Sequence, residues 1–167
     1  MMHPNLLLTE QLVYKPMGWK IENLKLEQES VDYGAANFEI NQRRIKFRVG
    51  KITPTKTGQF VTFWKRSSKG LILPYAFDDP FDLFVVNVCT ANRFGQFVFP
   101  KSILYEKAII SKNEGEGKRA IRVYPLWDQA NNLQAKKTQA WQLLHFFEIN
   151  KNLKINFAYI QGLFGLR

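Results

Sequence analysis

Residues 43–53 read Arg43-Arg44-Ile45-Lys46-Phe47-Arg48-Val49-Gly50-Lys51-Ile52-Thr53, and their alternation decides the fold class. Ile45, Phe47 and Val49 fall on one side of an extended chain and the bases on the other, the period of a β-strand with one buried face. Phe38 to Thr53 reads as paired strands joined by the turn-forming Asn41-Gln42. Gly50 breaks the alternation. A regular strand puts Lys51 on the apolar side and throws Ile52 outward. One extra residue at Gly50, a β-bulge, returns Ile52 to the core and aims Lys51 outward. A plain strand end at Gly50 is the competing reading.

Working outward, Thr53-Pro54-Thr55-Lys56-Thr57-Gly58 is a turn and Gln59 to Lys65 a further strand. Phe81 to Cys89 is apolar enough to be central in a sheet. A loop through Asn92 and Gly95 leads to a partner strand at Gln96-Phe97-Val98-Phe99. Pro4 to about Lys15 is expected as a helix with Leu8, Leu12 and Val13 on one side. Ser102 to Ile109 is a short helix, Lys112 to Lys118 a polar loop, and Ala120 to Tyr124 a strand stopped by Pro125. Thr138 is placed to cap a helix reaching Glu148, with Leu144 and Phe147 among its buried positions. The acidic stretch before Asn37 and the apolar tail after Asn150 receive no assignment. No repeat, low-complexity tract or long linker divides the chain. Residues 1–167 are therefore expected to form a single α+β domain, a mixed, mostly antiparallel sheet flanked by a few helices.

The chain has 167 residues, of which 46% are hydrophobic and 14% aromatic, enough to bury a core and too many for a disordered chain. No apolar run approaches the roughly 18 residues that cross a bilayer. Leu6-Leu7-Leu8 lacks the basic flank and cleavage site of a signal peptide. The single Cys89 sits in an apolar run and reads as a small buried hydrophobe, so a reducing, cytoplasmic setting without membrane attachment is expected. Nothing in the pattern speaks to oligomeric state.

The net charge is +10 and is unevenly placed. Residues 1–42 carry six acids against three lysines. Residues 43–70 carry nine bases and no acid: Arg43, Arg44, Lys46, Arg48, Lys51, Lys56, Lys65, Arg66 and Lys69. Such a block repels itself, so an anionic partner is the natural expectation, beside the plainer reading of a solvated lysine-rich surface. With only His3 and His145 as histidines there is no His/Cys metal cluster and no evident nucleophile–base pair. Gly115-Glu116-Gly117-Lys118 only faintly resembles a phosphate loop, since the following Ser/Thr is missing and glutamates surround it. Binding signals are stronger. Lys51 to Phe60 gathers bases, hydroxyls and an amide (Thr53, Lys56, Gln59) about a turn, groups that contact phosphate oxygens. Trp64-Lys65-Arg66, Lys101, and the run Arg119, Arg122 and Tyr124 add charge and rings, the combination by which sequence-tolerant nucleic-acid binders gain affinity.

These motifs resemble the MepB family of bacterial proteins. The resemblance is carried by Lys51–Val61, Trp64-Lys65-Arg66, Asp79-Pro80-Phe81-Asp82, Gly95–Lys101, Val123-Tyr124-Pro125 with Trp127, and Gln139-Ala140-Trp141-Gln142. It runs in order from about Tyr33 to Trp141 and implies no established activity; the family is named after a multidrug-export locus. A second resemblance, to restriction-endonuclease-like PD-(D/E)XK folds, implies carboxylates and a lysine gathered about Mg²⁺. On that pattern Glu39 and Lys51 are the catalytic candidates, with Glu22, Glu29 or Asp82 as partners. The position two before Lys51 is Val49, where the pattern wants an acid or Gln, so a degenerate site that binds without cutting is favoured. The leading expectation is a nucleic-acid binder, DNA or RNA, using Arg44, Lys46, Arg48, Lys51, Lys56, Lys65, Arg66 and Arg122. The alternatives are a Mg²⁺-dependent nuclease, in which case alone a cofactor is needed, and a small-molecule or partner-protein module linked to drug response.

Overall fold

A computed structural model of the protein describes residues 1–112 and 116–166. Part of the Gly115–Lys118 stretch lies outside the described residues. The two strands expected about Asn41-Gln42 are β2 (Ala36–Ile40) and β3 (Arg43–Val49), antiparallel with Phe38 opposite Ile45. Asn41 and Gln42 both take positive φ, +47° and +69°, the backbone of a two-residue type I′ hairpin turn that matches strand twist. Outside them lies β1 (Glu22–Leu26). On the other side β3 runs parallel to β8 (Leu83–Cys89), followed by β9 (Phe94–Pro100) and β11 (Phe146–Glu148). The six strands are ordered β1-β2-β3-β8-β9-β11, and every pairing except β3–β8 is antiparallel.

Each face of this sheet carries its own core. Ile45, Phe47 and Val49 join Phe38, Ile40, Leu83, Val85 and Val98 on one face. They are covered by α1 (Pro4–Thr9), which continues as one π-helical turn over Glu10–Tyr14, and by α4 (Phe157–Leu163) from the unassigned tail. A buried polar chain ties that helix to the sheet. Asn87 donates to Thr9 Oγ1, Gln96 donates to Asn87, and the Tyr14 hydroxyl donates to Gln96 Oε1. Burial pushes the Tyr14 hydroxyl pKa far above its ordinary value.

The opposite face presents Phe84, Val86, Phe97 and Phe99 to a second layer. That layer is a small sheet of β4 (Lys51–Ile52), β5 (Gln59–Thr62) and β10 (Ala120–Val123), with the hairpin β6 (Trp64–Arg66) and β7 (Ile72–Pro74), α2 (Lys101–Glu106) and α3 (Leu133–Gln142) around it. Gly50 is where the chain leaves one sheet for the other. Its N–H still bonds Asn87 in the large sheet, and Lys51 already pairs with Phe60 in the small one. A β-carbon at Gly50 would meet Gln59 Oε1 at 2.9 Å and Val88 at 3.3 Å, so the crossing requires glycine for space. This settles the competing readings: Gly50 ends the strand, Lys51 points out, and Ile52 stays 65% exposed rather than returning to the core.

The expected helix capped by Thr138 is displaced. Asn132 caps α3 by accepting from the Ala135 N–H, and the helix gives way after Gln142 to a 3₁₀ turn and to β11. Phe147 is buried as a strand residue, while Leu144 is 70% exposed. No helix among the described residues is long and apolar enough to cross a membrane.

Candidate nucleic-acid interface

The basic side of β3, which the sequence offers to phosphates, is largely consumed inside the protein. Arg48 is fully buried. It donates through Nη2 to Glu27 at 2.7 Å, through Nε to the Thr62 carbonyl and through Nη1 to the Phe47 carbonyl. Lys46 donates to the other Glu27 oxygen at 2.9 Å and to Asn37, with its ammonium 4.6 Å from the Tyr75 ring centroid. Arg44 grips Asp82 through Nε and Nη2 at 3.1 and 3.0 Å, with its own backbone N–H on the same carboxylate. Those bonds hold the Asp82 carboxyl below the usual range. Lys65 pairs with Asp79 and Arg66 with Glu29. Five of the nine bases therefore have carboxylate partners, which corrects the expectation that Arg44, Lys46, Arg48, Lys65 and Arg66 wait for phosphate. The acids come from the β1 end and from the 79–82 turn, outside the acid-free stretch of residues 43–70.

The other candidates divide. Gln59 is buried and donates to the Cys89 carbonyl, so it does not reach solvent. Thr53 is half-buried, Lys56 is exposed at the turn, and Trp64 is half-buried with the Arg66 guanidinium 5.4 Å from its ring centroid. Lys101 lies against the Phe77 and Phe81 rings and donates to the Asp79 carbonyl. Burial, then the nearby Arg44, lowers its pKa. Lys51 extends over Tyr33, 4.6 Å from its ring centroid.

The catalytic pair does not assemble. Glu39 stands opposite Arg44 at the start of β3, whereas Lys51 lies past its far end. Seven residues of nearly extended chain at about 3.3 Å each put the two roughly 20 Å apart along the sheet. Glu22 is the cross-strand neighbour of Glu39, but Asp82 is occupied by Arg44 and Glu29 by Arg66. Among the described residues no group of three or more His, Cys, Asp or Glu is placed to hold a metal ion. The described residues do not fit the Mg²⁺ centre that the nuclease reading requires.

A different concavity brings rings together with cations, of which Lys118 and Arg122 have no carboxylate partner among the described residues and Arg122 donates only to the Gly58 carbonyl at 3.3 Å. Between β10, the end of α2 and α3 lies a groove of about 400 Å³ lined by Lys107, Lys118, Arg122, Phe60, Tyr124 and Trp141, with Gln134, Thr138 and Gln142 among its polar groups. It continues along α3 past Lys137. No Asp or Glu lines either part. Lys118 and Arg122 have no carboxylate within 4 Å among the described residues, and Lys107 has Glu106 at 3.7 Å. Strand register sets Lys51, Phe60 and Arg122 side by side across β4, β5 and β10. Arg122 lies 5.7 Å from the Phe60 centroid and Lys107 5.7 Å from that of Trp141. Arg119 is exposed beside the groove and donates to the Ile72 carbonyl. Arg119, Arg122 and Tyr124 were legible in sequence, and Phe60 and Trp141 fell within motifs singled out there; Lys107 and Lys137 were not, because separate elements contribute them. The one available signal was the +6 balance of residues 101–167.

Residues 27–148 match the family model described as MepB-like, and the chain belongs to that family. The crystal structure of MepB superposes with a TM-score of 0.77 at 32% identity, covering 92% of this chain and 100% of that one. A bacterial homing endonuclease gives a TM-score of 0.42 at 18% identity, over 84% of this chain and 85% of its own, a likeness that carries no weight for chemistry. No curated protein matches the chain. The family span begins at Glu27 and takes in every residue named in the groove.

Proposed function

We propose that this protein binds nucleic acid, and does so through the groove between β10 and α3 rather than through the basic face of β3. The observation that carries the reading is the groove's lining: lysine and arginine without a single acid, interleaved with Phe60, Tyr124 and Trp141. Cations already bonded to carboxylates have little to offer a phosphate, because binding would first break a pair. Cations without partners keep their charge for an incoming polyanion and release its counterions. Rings beside them supply faces on which any base stacks.

Fluorescence anisotropy of labelled DNA and RNA oligonucleotides over a salt series tests this. Affinity is expected to fall steeply with salt, with a log–log slope of about −2 to −3 for three neutralised phosphates. Replacing Lys118 and Arg122 together with Ala should weaken binding and flatten the slope, whereas Arg44→Ala should leave both nearly unchanged. Absence of binding at low salt, or an affinity indifferent to salt, overturns the reading.

A further inference from the structure

The floor of the groove is the outer edge of a β-strand, and one part of that edge is already paired in an instructive way. The Phe63 N–H bonds the Arg119 carbonyl. With the antiparallel register Ile121–Val61 and Val123–Gln59, odd-numbered residues of β10 therefore turn their backbone groups toward β5. The even-numbered residues turn theirs outward, into the groove. The Gln142 side chain from α3 meets the outward groups at one end: it accepts from the Tyr124 N–H at 2.8 Å and donates to the Arg122 carbonyl at 2.9 Å. A flat carboxamide thus caps one donor–acceptor step of the strand edge. The equivalent step two residues earlier is the Ala120 carbonyl with the Arg122 N–H, about 7 Å along the strand. No hydrogen bond from a described residue reaches either group. Ala120 and Arg122 both line the groove, beside Trp141 and Tyr124.

We infer that this uncapped step reads the edge of an unpaired nucleobase, so that the groove selects single-stranded over duplex nucleic acid. The inference rests on the nucleic-acid reading above and deepens it. Every base carries an amide-like pair, one donor next to one acceptor, on its Watson–Crick edge. That pair has the pattern of the Gln142 carboxamide and complements a strand edge in the same way. In a duplex the edge is already occupied, so only an unpaired base can offer it. A base so placed has aromatic side chains to stack on, Trp141 and Tyr124, and its phosphates fall among Lys107, Lys118 and Arg122. About 400 Å³ is of the order a small ligand pocket occupies, enough for a nucleotide and too little for a duplex. An extended peptide also pairs with strand edges, but an acid-free cationic lining favours a ligand with phosphates.

Three oligonucleotides of one sequence and label test the inference on the intact wild-type protein: single-stranded, duplex, and single-stranded with abasic sites that keep the phosphates and remove the bases. The single strand is expected to bind at least about tenfold more tightly than either of the others, the size of one stacked base. Equal binding of all three overturns base reading and leaves nucleic-acid binding standing; no binding of any of them defeats both. Trp141→Ala should remove most of the single-strand preference and Trp141→Phe should retain it. Loss of preference in both variants, or in neither, counts against stacking at this ring. The strand edge itself is probed by comparing Arg122→Ala with Arg122→Pro. Proline deletes an N–H that β5 does not use and is tolerated on such an edge. The proline variant, if its circular dichroism and Tm match those of the alanine variant, should lose preference that the alanine variant keeps. Identical preference in two folded variants rules out pairing at Arg122.

Discussion

Two clusters of positive charge lie on this molecule, and they have opposite fates. On β3, Lys46 and Arg48 share the Glu27 carboxylate while Arg44 grips Asp82. There the cations bind the first strand and the 79–82 turn onto the sheet. In the groove, Lys118 and Arg122 have no carboxylate partner among the described residues. The density of bases is higher in the first region, the availability higher in the second. A count of charge along the chain measures density. Binding depends on availability, which is set by what folds back to meet each side chain.

The largest expected effect lies at Glu27. Glu27→Ala strands the buried Arg48 and the half-buried Lys46 and should cost about 3–5 kcal/mol in urea-induced unfolding. Replacing Glu27, Lys46 and Arg48 together with apolar residues of similar size should recover most of that loss. A loss below about 1 kcal/mol for the single change would show that the basic face of β3 is not held by this carboxylate. Next comes Gly50→Ala, whose β-carbon would lie 2.9 Å from Gln59 Oε1 and crowd Val88 at 3.3 Å. It should destabilise by about 1–3 kcal/mol, read as a fall in urea midpoint. In the groove the contrast reverses: Lys118→Ala with Arg122→Ala should leave the midpoint nearly unchanged while reducing the salt slope of oligonucleotide binding by about 2. If that double change acts on stability and not on binding, the two regions have been assigned the wrong way round.

The smallest effect is expected at the half-exposed Arg44–Asp82 pair, below about 1 kcal/mol at neutral pH because solvent screens it. Its sign with pH is definite. The Asp82 carboxyl titrates below its unfolded value because Arg44 bonds the ionised form. Its contribution is therefore complete above the unfolded pKa of about 3.9 and disappears as pH falls through the lower folded value. Asp82→Asn should flatten the acid limb of a stability–pH curve below about pH 4 and leave the curve near pH 7 little altered.

Much of the fold was readable along the chain. Alternation in Arg44–Val49 announced a strand, Asn41-Gln42 announced a hairpin, and the apolar run before Cys89 announced a central strand, because each signal involves neighbours a few residues apart. Gly50 was noticed, but the reason for a glycine there is a contact with Gln59 and Val88 that no local pattern contains. α4 escaped because its apolar residues face a core built from distant strands. The start of α3 was misplaced because Asn132 and Thr138 are both able caps, and only packing chose between them.

For the binding surface the division is sharper. Composition and order specified an α+β chain, rich in positive charge and rings, in the MepB-like family. Which charges remain free depended on tertiary structure, because Glu27 lies 19 and 21 residues from Lys46 and Arg48, and Asp82 lies 38 residues from Arg44. A Coulomb interaction acts over a few ångströms of space, however many residues of chain lie between the partners. The pairing that leaves Lys118 and Arg122 without a carboxylate partner among the described residues exists only once the strands have met.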